Sequence, residues 1–93
     1  MDGLRLLEKT AVPRILVLLL GGKLSRRDFK INVQGGYKTT RKALSALLEA
    51  GLISELQESR HPYRLWTELT PKGYSVARLL DALDVEIRRV IVE

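Results

Sequence analysis

Ser25 to Gly51 reads SRRDFKINVQGGYKTTRKALSALLEAG, and the fold is decided in this stretch. Ser25 followed three residues later by Asp28 is a capping-box-like start, which predicts a helix over about Arg26 to Ile31. Phe29 and Ile31 would point inward while Arg26, Arg27 and Lys30 stay in water. Asn32-Val33-Gln34-Gly35-Gly36 predicts a turn, because paired glycines reach backbone angles closed to other residues. Thr40, Ala43, Leu44, Leu47 and Leu48 then recur at helical spacing, predicting a second helix over about Tyr37 to Ala50 with Gly51 as its C-cap. Its opposite face carries Lys38, Thr39, Arg41, Lys42 and Ser45. Between Lys23 and Lys42 stand seven basic residues (Lys23, Arg26, Arg27, Lys30, Lys38, Arg41, Lys42) against one acid, Asp28, while the whole chain has a net charge of +5. Charges elsewhere nearly cancel. A charged helix face is ordinarily just a solvated one, but an excess of one sign focused on two helices and a turn is what a polyanion-binding face requires.

On the N-terminal side, Lys23-Leu24 predicts a very short strand. Before it, Thr10 is placed to N-cap a helix with Pro13 in its first turn, apolar nearly all round from Ile15 to Leu20 and stopped by Gly21-Gly22. A helix with so little polar surface belongs in the centre of the domain. Leu4, Leu6 and Leu7 give Gly3 to Lys9 an apolar side, predicting a short packed arm, helical or extended. On the C-terminal side, Leu52 to Glu58 and Tyr63 to Leu69 have strand composition, joined by Ser59-Arg60-His61-Pro62 as a tight connection. Alternation puts Tyr63, Leu65, Thr67 and Leu69 on one face of the second strand and Arg64, Trp66 and Glu68 on the other. With the leucines inward, Trp66 lies outside the core, sheltered by the N-terminal arm or by a partner subunit. Thr70 and Pro71 predict the N-cap and first position of a last helix, from about Lys72 to Val92. Val76, Leu80, Leu83, Ile87 and Val90 recur along it at spacings of four and three, a stripe suited to a dimer interface with a second copy.

Ninety-three residues with 45% hydrophobic content make one domain. Residues 10–73 would form its core and residues 74–92 the dimerisation helix. The absence of cysteine excludes disulfides and thiolate metal sites, and His61, the only histidine, cannot build a histidine metal cluster; no metal and no cofactor is expected. His61 itself reads as an ordinary surface residue. The longest apolar run, Ile15 to Leu20, falls far short of the roughly 18 residues of a membrane span. The first residues mix Asp2 and Glu8 with Arg5 and Lys9, unlike a signal peptide, so a cytoplasmic location is expected. Asp81, Asp84 and Glu86 read as solvated, and no arrangement of acids, histidine and hydroxyls suggests an enzyme.

The order helix, short strand, helix, helix, two-stranded hairpin, helix resembles a winged helix-turn-helix, a mostly α fold with a small antiparallel β-hairpin. Leu44-x-x-Leu47-x-x-x-Gly51-Leu52-Ile53 resembles the end of the recognition helix and start of the wing in MarR-like, PadR-like and ArsR-like transcription regulators. Leu69-Thr70-Pro71-Lys72-Gly73 resembles the Leu-Thr-x-x-Gly with which many of them leave the wing. The likeness covers nearly the whole chain. It implies a homodimeric regulator binding double-stranded DNA, with the helix from Tyr37 in the major groove. Tyr37, Lys38, Thr39, Arg41, Lys42 and Ser45 would then reach bases and phosphates, Arg41 being best suited to guanine. Lys23, Arg26, Arg27 and Lys30 would contact phosphates. Arg60 stands at the wing tip beside His61, where MarR-like wings commonly have Asp-x-Arg. A winged helix serving as a protein-interaction module, and a non-specific architectural or RNA-binding protein, are the alternatives.

Overall fold

The computed structural model describes residues 3–32 and 36–90, the side chains of 30–32 excepted. Eight regular elements follow in the order α1 (Gly3–Leu7), α2 (Val12–Leu18), β1 (Leu24–Ser25), α3 (Arg26–Asn32), α4 (Gly36–Glu49), β2 (Ile53–Gln57), β3 (Leu65–Leu69) and α5 (Pro71–Arg88). A 3-10 turn, Leu19–Gly21, extends α2 to Gly22, whose φ of 126° ends it. Glycine is needed there because a Cβ disfavours that backbone region.

The predicted centre of the domain is where the sequence put it. From α2 come Val12, Ile15 and Leu16, with Leu19 just beyond, all essentially without solvent contact. Phe29 of α3, Ala43, Leu44 and Leu47 of α4, Leu52 just before β2, Ile53 of β2 and Ala77 of α5 close around them, and Leu6 of α1 covers one side. The N-terminal arm is thus helical. Its order also changes how α2 begins. The N-cap is Ala11, in the left-handed region at φ 71°, and not Thr10 as predicted. The N–H of Val12 is taken by the carbonyl of Lys9 at 3.2 Å, so the turn leaving α1 supplies by backbone what a threonine hydroxyl would have supplied.

The predicted short strand joins the hairpin and makes a three-stranded antiparallel sheet in the order β1-β3-β2. Leu24 faces Thr67 and Ser25 faces Trp66 across one ladder; Ile53 faces Leu69 and Gln57 faces Leu65 across the other. Strand β3 starts at Leu65, two residues later than predicted, because Tyr63 has a φ of 56° and cannot belong to an extended strand. The wing connection is correspondingly longer, closed by Tyr63 N–H to the Arg60 carbonyl at 2.8 Å and Glu58 N–H to the Arg64 carbonyl at 2.9 Å.

Helix α4 ends in a Schellman motif. Leu52 N–H bonds the Leu47 carbonyl and Gly51 N–H the Leu48 carbonyl, both at 3.0 Å, with Gly51 at φ 75°. The start of α5 locks onto this end. Thr70 caps α5 by accepting from Gly73 N–H at 3.1 Å, while its hydroxyl donates to the Gly51 carbonyl at 2.7 Å and its N–H to the Leu52 carbonyl at 3.1 Å. Gly73 is buried so closely against Leu52 that a Cβ on it would overlap the Leu52 carbonyl. Gly73→Ala should therefore lower stability by about 1–3 kcal/mol. Gly21→Ala, whose Cβ would meet nothing within 4 Å, should be neutral or slightly stabilising. Denaturant unfolding followed by Trp66 fluorescence checks the pair.

Candidate nucleic-acid interface

Helix α4 is split lengthwise by burial. Thr40, Ala43, Leu44 and Leu47 are buried, the Thr40 hydroxyl turning back to the Gly36 carbonyl at 3.1 Å. Tyr37, Lys38, Arg41, Lys42 and Ser45 are exposed, and Thr39 is half-buried at the flank. The face expected to be polar is therefore presented outward, its cations in the N-terminal part and Glu49 at its C-terminal end. Tyr37 and Arg41 are one turn apart, and the Arg41 guanidinium sits 5.7 Å from the centre of the Tyr37 ring. That contact restricts a long side chain before anything binds. Gly36, at φ 83°, starts the helix, and the remainder of the predicted turn, residues 33–35, lies outside the described residues.

The capping box predicted for α3 is present. Asp28 accepts from the N–H and the hydroxyl of Ser25 at 2.8 and 2.9 Å, and Asp28 N–H returns a long bond to the Ser25 hydroxyl at 3.4 Å. These bonds, the backbone one foremost, together with the positive charges of Arg64 and Arg27, hold the Asp28 carboxyl below its ordinary value of 3.8.

The four cations expected to touch phosphates have different surroundings. Arg27 is exposed. Arg26 is ion-paired with Glu55 of β2 at 2.9 Å, tying α3 to the wing. Lys23 lies over the Trp66 ring, its Nζ 4.9 Å from the ring centre, while the Trp66 indole N–H donates to Glu58 at 2.7 Å. Trp66 is outside the core as expected, and within the chain Lys23 and Glu58 lie against it. The side chain of Lys30 lies outside the described residues. Arg60 is exposed in the wing connection, near the edge-to-face pair of His61 and Tyr63 at 5.9 Å. Sequence reading passed over Arg64. It lines an open groove of about 620 Å³ with Ser25, Arg26, Arg27, Asp28, Leu65 and Trp66. The signal was available, since strand alternation had already put Arg64 on the outer face with Trp66.

The stripe on α5 divides in two. Val76 and Leu80 are half-buried against the monomer's own core, so the near half closes this chain. Leu83 and Ile87 are 56% and 73% exposed, as is Leu79 at 72% off the stripe. The helix ends at Arg88, with Arg89 extended, so Val90 lies beyond it and does not continue the stripe in helical register. Residues 91–93, which the predicted helix included in part, lie outside the described residues. Among the described residues no helix is long and apolar enough to cross a membrane.

Comparison with known proteins supports the architecture. No protein-family model and no curated protein sequence matches the chain. Solved structures do. One described as a MarR-family regulator from Porphyromonas gingivalis W83 superposes with a TM-score of 0.80 at 20% identity, over 94% of this chain and 87% of that one. The reduced transcriptional regulator YodB from B. subtilis gives 0.79 at 17%, over 88% and 81%. A protein described as the transcriptional regulator ytfH from Salmonella typhimurium gives 0.77 at 25%, over 90% and 78%. The chain has the winged helix-turn-helix fold of these structures, with α3 and α4 as the helix-turn-helix, β2 and β3 as the wing, and α5 as the closing helix.

Because Asp28 has a depressed pKa in the folded state, its capping contribution is fully present above the unfolded value and disappears as pH falls through the folded one. Below about pH 3.8, the wild type should lose thermal stability more steeply than an Asp28→Ala variant, which is less stable at neutral pH and lacks this titration. Thermal unfolding by circular dichroism across the acid range tests it.

Proposed function

We propose that this protein binds double-stranded DNA sequence-specifically through α4 and acts as a homodimeric transcription regulator. The observation that carries the reading is the exposed, cation-rich face of α4, held by a buried opposite face within a winged-helix frame. In such a frame the second helix of the helix-turn-helix lies in the major groove with its N-terminal residues at the base edges. Arg41, pre-positioned over Tyr37, is the base-reading residue, since a guanidinium bonds guanine O6 and N7 together. Lys38 and Lys42 neutralise phosphates on either side, and the hydroxyls of Thr39 and Ser45 add hydrogen bonds. Arg27 and Arg64 approach the backbone from the start of α3 and from the wing.

Dimerisation is supported by the far half of α5. Leu83 and Ile87 border an apolar groove with Pro13, Val17, Leu18 and Leu80, flanked by Arg14 and Asp84. A second copy seated there would cover side chains that are otherwise costly to expose. The two α4 helices of such a dimer would address successive major grooves of a pseudo-palindromic site. The similarity in fold to proteins described as transcriptional regulators agrees with this reading.

Arg41→Glu, Lys42→Glu should weaken binding to a selected duplex at least a hundredfold, and wild-type affinity should fall steeply with salt. Fluorescence anisotropy at two salt concentrations measures both; binding indifferent to salt and to the substitutions would refute the assignment. Leu83→Glu should convert the dimer to monomer in sedimentation velocity without loss of helical content.

A further inference from the structure

The sequence concentrates its phosphate contacts between Lys23 and Lys42, but the fold alters that distribution. Lys23 is committed to Trp66 and Arg26 to Glu55. Elsewhere the packing of α1 adds positive charge to the α4 face. An open groove of about 630 Å³ runs along one edge of α4, lined by Arg5, Leu6 and Lys9 on one side and by Lys42, Ser45, Ala46 and Glu49 on the other. Leu6 is 8% exposed, so it anchors α1 by packing against the core, which leaves Arg5 and Lys9 at the rim. Both are exposed. Among the described residues, the ion pairs are Arg26 with Glu55, Arg88 with Asp84 and Arg89 with Glu86, so no acid there engages Arg5, Lys9 or Lys42. Three cations and one carboxylate line the groove.

We propose that this groove seats backbone phosphates of the duplex whose major groove receives α4, with Arg5 and Lys9 as the contacting residues contributed by the N-terminal segment. The inference rests on the DNA-binding reading above and enlarges its footprint. Lys42 and Ser45 belong at once to the outward face of α4 and to the groove wall, so the groove opens on the surface that meets the duplex. A backbone strand bordering the major groove and touching Lys42 therefore runs within reach of the long side chains of Arg5 and Lys9. These contacts carry no base information; they set position and add to the electrostatic part of affinity. Glu49, at the C-terminal end of α4, repels phosphate and marks where the backbone leaves the groove.

The test is a salt titration of binding to a fluorescein-labelled mixed-sequence DNA duplex, read by anisotropy. Each phosphate contact contributes about 0.9 to the slope of log affinity against log salt. Arg5→Ala, Lys9→Ala should therefore reduce the slope by about 1.8 and weaken binding roughly tenfold or more at low salt. Arg5→Lys, Lys9→Arg should keep the wild-type slope. Glu49→Gln should tighten binding several-fold, a gain that damage to the fold cannot imitate. An unchanged slope in the double alanine variant, while Arg41→Glu, Lys42→Glu still weakens binding, would overturn the inference and leave the DNA-binding reading standing. If binding weakens with no change in slope, the segment acts through folding and the inference is also lost. Indifference to all these substitutions would remove the DNA-binding reading itself.

Discussion

The Leu52 carbonyl is the point on which the molecule's geometry depends. It lies where α4 ends, the wing begins and the closing helix starts. Thr70 N–H bonds it, and Gly73 is packed onto it too tightly for any side chain. Around it Thr70 bonds the Gly51 carbonyl and Lys72 reaches the Ala50 carbonyl at 3.4 Å. Carbonyls at a helix C-terminus have no partners within their own helix, and a buried one left unbonded is expensive. Here the partners come from the first turn of α5, whose own cap is the same threonine. One knot of backbone bonds thereby fixes the angle between α4, which carries the cationic face, and α5, which carries the apolar one.

A second constraint governs charge. A chain with a net charge of +5 could repel itself along a helix-turn-helix, yet several cations are placed to stiffen the structure. The Arg26–Glu55 pair ties the start of α3 to the wing, and Lys23, Trp66 and Glu58 join β1 to the far end of the hairpin. Exposed pairs of this kind are individually weak, each of order 1 kcal/mol or less. Their collective effect is geometrical, since they tie the wing to α3, and Arg64 and Arg27 line one groove there. Among the described residues, the cations on the outer face of α4 have no such internal duty apart from the Arg41 contact with Tyr37.

Helix α5 serves two ends with one periodic stripe. Up to Leu80 the stripe completes the monomer core; beyond it Leu83 and Ile87 stay largely exposed, bordering an open apolar groove with Pro13, Val17 and Leu18 of α2. A stripe of constant composition cannot show where burial by the same chain gives way to exposure. That boundary is set by tertiary packing, because it depends on how closely α5 lies against α2, the helix it packs on.

The sequence by itself determined the elements and their order. The burial of one face of α4 followed from the spacing of Thr40, Ala43, Leu44 and Leu47, the start of α3 from Ser25 and Asp28, and the start of α5 from Thr70-Pro71. These are local facts: a cap or a helical period acts over three or four residues, so residue identity is enough. Tertiary structure decided the rest. Ala11 caps α2 because a backbone carbonyl from the preceding turn arrives first, Tyr63 leaves the strand because the wing connection closes through a left-handed residue, and Lys23 and Arg26 meet Trp66 and Glu55 across the sheet. Arg5 and Lys9 come to stand beside Lys42 only because Leu6 is buried under α1. The last two outcomes depend on contacts between residues far apart in the chain, whose partners are chosen by the packing of the whole core and leave no local periodicity to read; the first two are closures between backbone groups three residues apart, in which side-chain identity takes no part.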